Sequence, residues 1–151
     1  METIHTRAVS LLAALSVFLL TTGCKGDVCN TPFGEGGVIN LSLPDFAPLL
    51  NVGGTVIVTH DNYGFDMGHR GILVRHTSLY EFAAFDCSCP YDRDVALLPM
   101  EGWNGAVLEC SSCGSRFETE YGNPLDGAAT SCPLYQYTTH FDGYYTLEIY
   151  N

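Results

Sequence analysis

The sequence predicts an all-β domain, an antiparallel sandwich or small barrel built from short strands. Three observations point there. No long run of helical periodicity follows Cys24, and short apolar or alternating runs recur instead, bounded by Gly, Pro, Asn and Asp. The 16 Gly and 7 Pro supply the turns that such strands need. The expected strands are residues 37–43, 55–59, 71–76, 79–86, 106–110, 117–120, 134–139 and 144–150. In the last of these, Tyr145, Leu147 and Ile149 alternate with Thr146, Glu148 and Tyr150, so one face is buried and the other wet. The runs Thr55-Val56-Ile57-Val58 and Gly71-Ile72-Leu73-Val74 are continuous enough to be central strands. Residues 44–50 form the expected short helical turn, and 61–69 read as loop.

The chain of 151 residues allows one domain of ordinary size with a short leader. Its apolar fraction of 46% excludes global disorder. Acidic residues number 17 against 6 basic, a formal net charge of −11. Counterion release from phosphate needs Lys and Arg, so nucleic acid is excluded as a partner class. Asp61, Asp66, Asp86, Asp92 and Asp94 lack the spacing of a calcium loop and read as solvated loop acids. His60, His69, His76 and His140 read as turn or surface residues. The glycines at 34–37 and 51–54 lack the strand, helix and lysine context of a nucleotide-binding loop. Trp103 reads as a hydrophobic lid over a site nearby, and Ser111, Ser112 and Ser115 as hydroxyl donors.

Residues 8–20 are an unbroken apolar and small-residue run, AVSLLAALSVFLL. As a helix it reaches about 20 Å, short of a hydrocarbon core of about 30 Å, so it reads as the hydrophobic region of a signal peptide. Thr21-Thr22-Gly23-Cys24 follows and resembles the lipobox of bacterial lipoproteins, with Leu20 one place early. That resemblance implies cleavage before Cys24 and acylation of its thiol. A membrane-anchored protein of the bacterial cell envelope, held outside the cytoplasm, is then expected. The leader carries no twin arginine, so export as an unfolded chain is expected.

Apart from Cys24, six cysteines remain: Cys29, Cys87, Cys89, Cys110, Cys113 and Cys132. Four form two close pairs, Cys87-Ser88-Cys89 and Cys110-Ser111-Ser112-Cys113. Each pair ends an expected strand beside a turn residue, Pro90 or Gly114. Two such loops can point their sulfurs at one centre while freed backbone N–H groups donate to them, as a thiolate metal site or iron–sulfur cluster requires.

The stretch Cys110-Ser-Ser-Cys113-Gly114-Ser115-Arg116-Phe117, then Gly122-Asn-Pro-Leu, Asp126-Gly127-Ala128-Ala129 and Pro133-Leu134-Tyr135-Gln136-Tyr137, resembles the second half of a Rieske domain. The strands at 71–74 and 80–85 match those leading to that family's first motif, and the resemblance runs from about Leu41 to Asn151. It implies a Rieske-like β-fold with two cluster-binding loops, an electron-transfer role through a [2Fe–2S] cluster, and a redox protein as partner rather than catalysis by the domain itself. The organisation then reads as a signal peptide over 1–23, a tether and first strand over 24–40, and the Rieske-like domain over 41–151.

The ligands depart from the family pattern of two Cys and two His. Cys113 stands in the second histidine place. In the first motif, one register puts Cys89 in the histidine place and makes Cys87, Cys89, Cys110 and Cys113 the ligand set. The other matches Cys89-Pro90-Tyr91 to the family's Cys-Pro-His form, puts Tyr91 in that place and leaves Cys87 outside. Four thiolates would give a low potential, nearer the roughly −400 mV of plant-type ferredoxins than Rieske values. The same sulfurs could instead hold a single Zn or Fe ion, or pair as disulfides in an exported chain serving as an interaction module. Cys29 and Cys132 are left over, and a disulfide between them is expected to tie the N-terminal segment to the loop before the penultimate strand.

Overall fold

A computed structural model of the chain describes Cys29, residues 38–60 and residues 67–151. The expected signal peptide and Cys24, and residues 61–66 of the expected loop, lie outside the described residues. These form nine strands: β1 (Ile39–Ser42), β2 (Thr55–Val58), β3 (Ile72–Ser78), β4 (Glu81–Asp86), β5 (Leu97–Pro99), β6 (Val107–Cys110), β7 (Arg116–Glu118), β8 (Gln136–Phe141) and β9 (Thr146–Tyr150). Two 3₁₀ turns, Leu43–Asp45 and Ala47–Leu50, occupy the expected helical stretch. No α-helix occurs among the described residues.

Every strand pair is antiparallel. One sheet has six strands in the order β1-β9-β8-β4-β3-β2, and a second has three in the order β5-β6-β7. The all-β expectation therefore holds. Of the two runs expected to be central strands, residues 72–74 lie in β3, inside the large sheet, whereas Thr55–Val58 forms β2 at its edge and is mostly half-buried. β3 and β4 feed two cores. Ile72, Val74, Phe82 and Ala84 join Leu41, Leu49, Leu147 and Ile149 on one side of the large sheet. Leu73, Ala83 and Phe85 face the other way, against Leu97, Leu108 and Phe117 of the small sheet. A strand buried on both faces has no wet side to show as alternation. In β9, Leu147 and Ile149 are buried as the alternation predicts, whereas Tyr145, expected on the same face, precedes the strand and is exposed.

β5 was not among the expected strands. It has three residues and ends at Pro99, which cannot donate to a ladder, so its composition gives no strand signal. The turn from β6 into β7 depends on Gly114, whose φ of 70° lies in the left-handed region. Gly122 has a different constraint: a Cβ there would sit 2.7 Å from the Phe85 ring.

Two side chains expected at the surface are buried. His76 is covered, with its ring stacked on Phe82 at 4.3 Å. Asp86, read as a solvated loop acid, is only 1% exposed. Its Oδ1 accepts the Ser88 N–H at 2.8 Å and the Ser88 hydroxyl at 2.5 Å. Its Oδ2 accepts the His69 N–H and the Tyr137 hydroxyl, both at 2.8 Å. Four donors fill the acceptor capacity of a carboxylate, which offsets the cost of burying it. The network joins the end of β4 to the 67–71 turn, to β8 and to the start of the cysteine loop. Tyr137, buried and donating to this carboxylate, has its hydroxyl pKa pushed well above the usual phenol value.

Cys29 and Cys132 are disulfide-bonded, with Cα atoms 5.1 Å apart and a sequence separation of 103. On the loop-entropy account, a closure of that length stabilises by roughly 4–5 kcal/mol. Two outcomes are expected. Tyr137→Phe should lower urea-derived stability by roughly 1–2 kcal/mol, because Asp86 loses one of its donors. Selective reduction of Cys29–Cys132 should cost more than that substitution in the same titration.

Candidate metal centre

Three sulfurs meet between two loops. Cys89 follows β4, Cys110 ends β6, and Cys113 lies in the turn before β7. Their Sγ atoms all lie within 4.8 Å of one another, and those of Cys89 and Cys113 are 3.7 Å apart. Backbone bonds hold each loop. In the first, the Cys89 N–H donates to the Val95 carbonyl at 3.0 Å and the Leu97 N–H to the Cys87 carbonyl at 2.7 Å. In the second, the Cys110 N–H donates to the Ser115 carbonyl and the Gly114 N–H to the Cys110 carbonyl, both at 2.9 Å. A side-chain contact joins the two loops: the Ser112 hydroxyl donates to Asp92 Oδ2 at 2.7 Å.

Cys87, a member of the expected four-thiolate set, is not in this group. It is buried among the second core's side chains with Ala83 and Phe85, following the strand alternation of β4. Positions two apart in extended chain are separated by about 7 Å, which works against both sulfurs reaching one centre. The register through Cys89-Pro90-Tyr91 matches this placement better. Tyr91 is exposed, while Cys89 and Cys110 are fully buried and Cys113 is partly open.

The three sulfurs are not equivalent electrostatically. Burial pushes the Cys89 thiol up to about 12, opposed by a backbone N–H from Asp92 that reaches its sulfur at 3.4 Å. For Cys113, burial acts upward, but hydrogen bonding by Ser115 and by the neighbouring sulfurs outweighs it and holds the thiol below its ordinary value. The Cys113 thiol donates to Ser115 Oγ at 3.1 Å, and that oxygen also accepts the Ala129 N–H at 2.8 Å. Once Cys113 ionises, the Ser115 hydroxyl is free to turn and donate to it. Of the three serines expected near sulfur, Ser115 has this role and Ser112 joins the loops.

Trp103 is not a lid over the sulfurs. It is half exposed and lines a groove with Arg75, Val107, Thr119 and Leu125, which contains no cysteine. The residue missed from sequence was Asp86. An acid directly before Cys-x-Cys, with a tyrosine 51 positions on, offers no local signal of their pairing.

No family model matches the chain, and no curated protein does. Among solved structures, a chain from the complex of reduced oxygenase and oxidized ferredoxin in carbazole 1,9a-dioxygenase is 21% identical, with a TM-score of 0.46, over 74% of this chain and 92% of that one. A chain assigned as the small subunit of an NADH-dependent nitrite reductase from Mycobacterium tuberculosis is 14% identical, with a TM-score of 0.43, over 78% of this chain and 97% of that one. Similarity at this level assigns no ligand, cofactor or activity to the three sulfurs.

Cys87 gives a pH prediction separate from metal binding. Burial, then the nearby Asp86 charge, pushes its thiol from 9.0 up to about 12. A thiol raised on folding favours the native state below pH 9, and that contribution is lost as pH climbs from 9 toward 12. Cys87→Ala should therefore start less stable through lost packing, yet lose less stability than the parent across that window in urea titrations.

Proposed function

We propose that the domain is an electron carrier, with iron held by cysteine sulfur between the two loops at the end of the small sheet. The observation that carries this reading is the convergence of Cys89, Cys110 and Cys113 from two separate loops. Three free thiols gathered in a mostly buried place, with N–H and hydroxyl donors around them, make a ligand set for a soft or borderline metal.

The Rieske resemblance runs through the same loops and implies a [2Fe–2S] cluster, which supplies one-electron chemistry when bound. In the register through Tyr91, Cys89 and Cys110 stand in that family's cysteine places and are the buried pair. Cys113 and Tyr91 stand in its histidine places, on the solvent side. The inner half of the donor set fits such a group, and the outer half departs from it. The chain's own contribution is plain in either case. N–H donors at Cys89 and Cys113 favour the charged sulfurs, and Asp92 with Ser112 holds the loops together. Cys113, at the surface, offers the edge over which a redox partner would dock.

The leader adds a location to this proposal: acylated Cys24 would anchor the carrier to a membrane in the bacterial cell envelope, outside the cytoplasm. A second reading, an exported interaction module with zinc or a disulfide at the site, draws support from the 3.7 Å approach of Cys89 and Cys113.

Anaerobic loading of the full chain with ferrous iron and sulfide separates the two. The carrier reading expects a coloured protein that changes reversibly on one-electron reduction, and loss of colour in Cys110→Ser. A colourless product carrying only zinc, or a Cys89–Cys113 disulfide, leaves the interaction module.

A further inference from the structure

We infer that Cys89, Cys110 and Cys113 form a three-thiolate site for a single divalent ion, with the fourth position left to an exogenous ligand. The inference rests on the thiolate-held iron proposed above and names its nuclearity and donors.

A tetrahedral ion bound to sulfur at about 2.3 Å places its ligand sulfurs about 3.8 Å apart. The Cys89–Cys113 separation is 3.7 Å, and all three sulfurs fall within 4.8 Å. In the register through Tyr91, Cys89 and Cys113 stand in the places that a Rieske centre assigns to different irons. Thiolates on two bridged irons stand further apart than the edge of one tetrahedron, so this approach suits one ion rather than two.

Among the described residues, no other Cys, His, Asp or Glu joins the group. Cys87 is packed in the core, and the nearby Asp92 carboxylate accepts the Ser112 hydroxyl. Cys113 is partly exposed, so the group has a solvent side from which water can complete four-coordination. With the export proposed above, an unfolded chain would carry no preassembled cluster, whereas a free divalent ion can enter after folding. Binding deprotonates the thiols, so three thiolates and one divalent cation leave a net charge of 2 − 3 = −1, with the protons released to solvent.

The test uses the reduced full chain titrated anaerobically with Co²⁺, then with Zn²⁺ as competitor. The expected result is one Co²⁺ per chain with sulfur-to-metal charge transfer and a four-coordinate visible band. Adding imidazole should shift that band by replacing water. Cys89→Ser, Cys110→Ser and Cys113→Ser should each abolish stoichiometric binding. Ser112→Ala should weaken it by roughly tenfold through loss of the inter-loop contact. Cys87→Ala should leave stoichiometry and spectrum intact, with Cys87→Ser as the second variant and circular dichroism as the folding control.

Loss of the ion in folded Cys87 variants, or a band insensitive to imidazole because a protein donor closes the site, overturns this inference and leaves the carrier proposal standing. So does reconstitution with iron and sulfide that yields only a species with two irons and two sulfides per chain. Failure of the reduced chain to take up any metal overturns both.

Discussion

A buried carboxylate with four donors holds the cysteine loop to the sheet. Asp86 is the last residue of β4, and its oxygens collect the Ser88 N–H and hydroxyl, the His69 N–H and the Tyr137 hydroxyl. Burying an acid without such partners would cost several kcal/mol, so the donors together keep Asp86 in place. It also sets the path of the chain. With Ser88 drawn back onto Asp86, Cys87 and Cys89 continue the core-facing alternation of Ala83 and Phe85. Cys89 thus arrives beneath the second loop rather than out in solvent.

The second loop comes from a different sheet and meets the first through small contacts. Its turn needs Gly114 at positive φ, and its Ser112 reaches Asp92 across the gap. The environment grades the sulfurs from inside outward. Cys89 and Cys110 are covered, whereas Cys113 is partly open and hydrogen-bonded by Ser115. A centre built here would have its protected side toward Phe85 and Leu108 and its accessible edge at Cys113. An electron carrier benefits from that asymmetry, since transfer needs an edge near the partner while the rest is kept from water.

Most of the fold was legible because strand formation leaves local marks. The alternation at 144–150 and the apolar runs at 55–58 and 71–74 became β9, β2 and β3 with small shifts at their ends. β5 was missed because three residues ending in proline carry too little pattern. His76 and Asp86 were misplaced because single polar residues are usually exposed. The burial of Asp86 depends on donors distant in sequence, Tyr137 among them, and that of His76 on the Phe82 ring across the β3–β4 hairpin.

By itself, the sequence determined an all-β domain and the two cysteine loops, since turn residues, alternation and close cysteine spacing act over a few positions. It left two registers open for the first motif. Only the tertiary structure decided which sulfurs share a place. Whether Cys87 joins Cys89 at the second loop depends on how β4 is pinned by Asp86 and on where the small sheet packs, contacts made between residues far apart along the chain. A spacing of two residues states that both sulfurs lie on one face of a strand. The packing of the sheets brings Cys89 to the other loop and leaves Cys87 in the core.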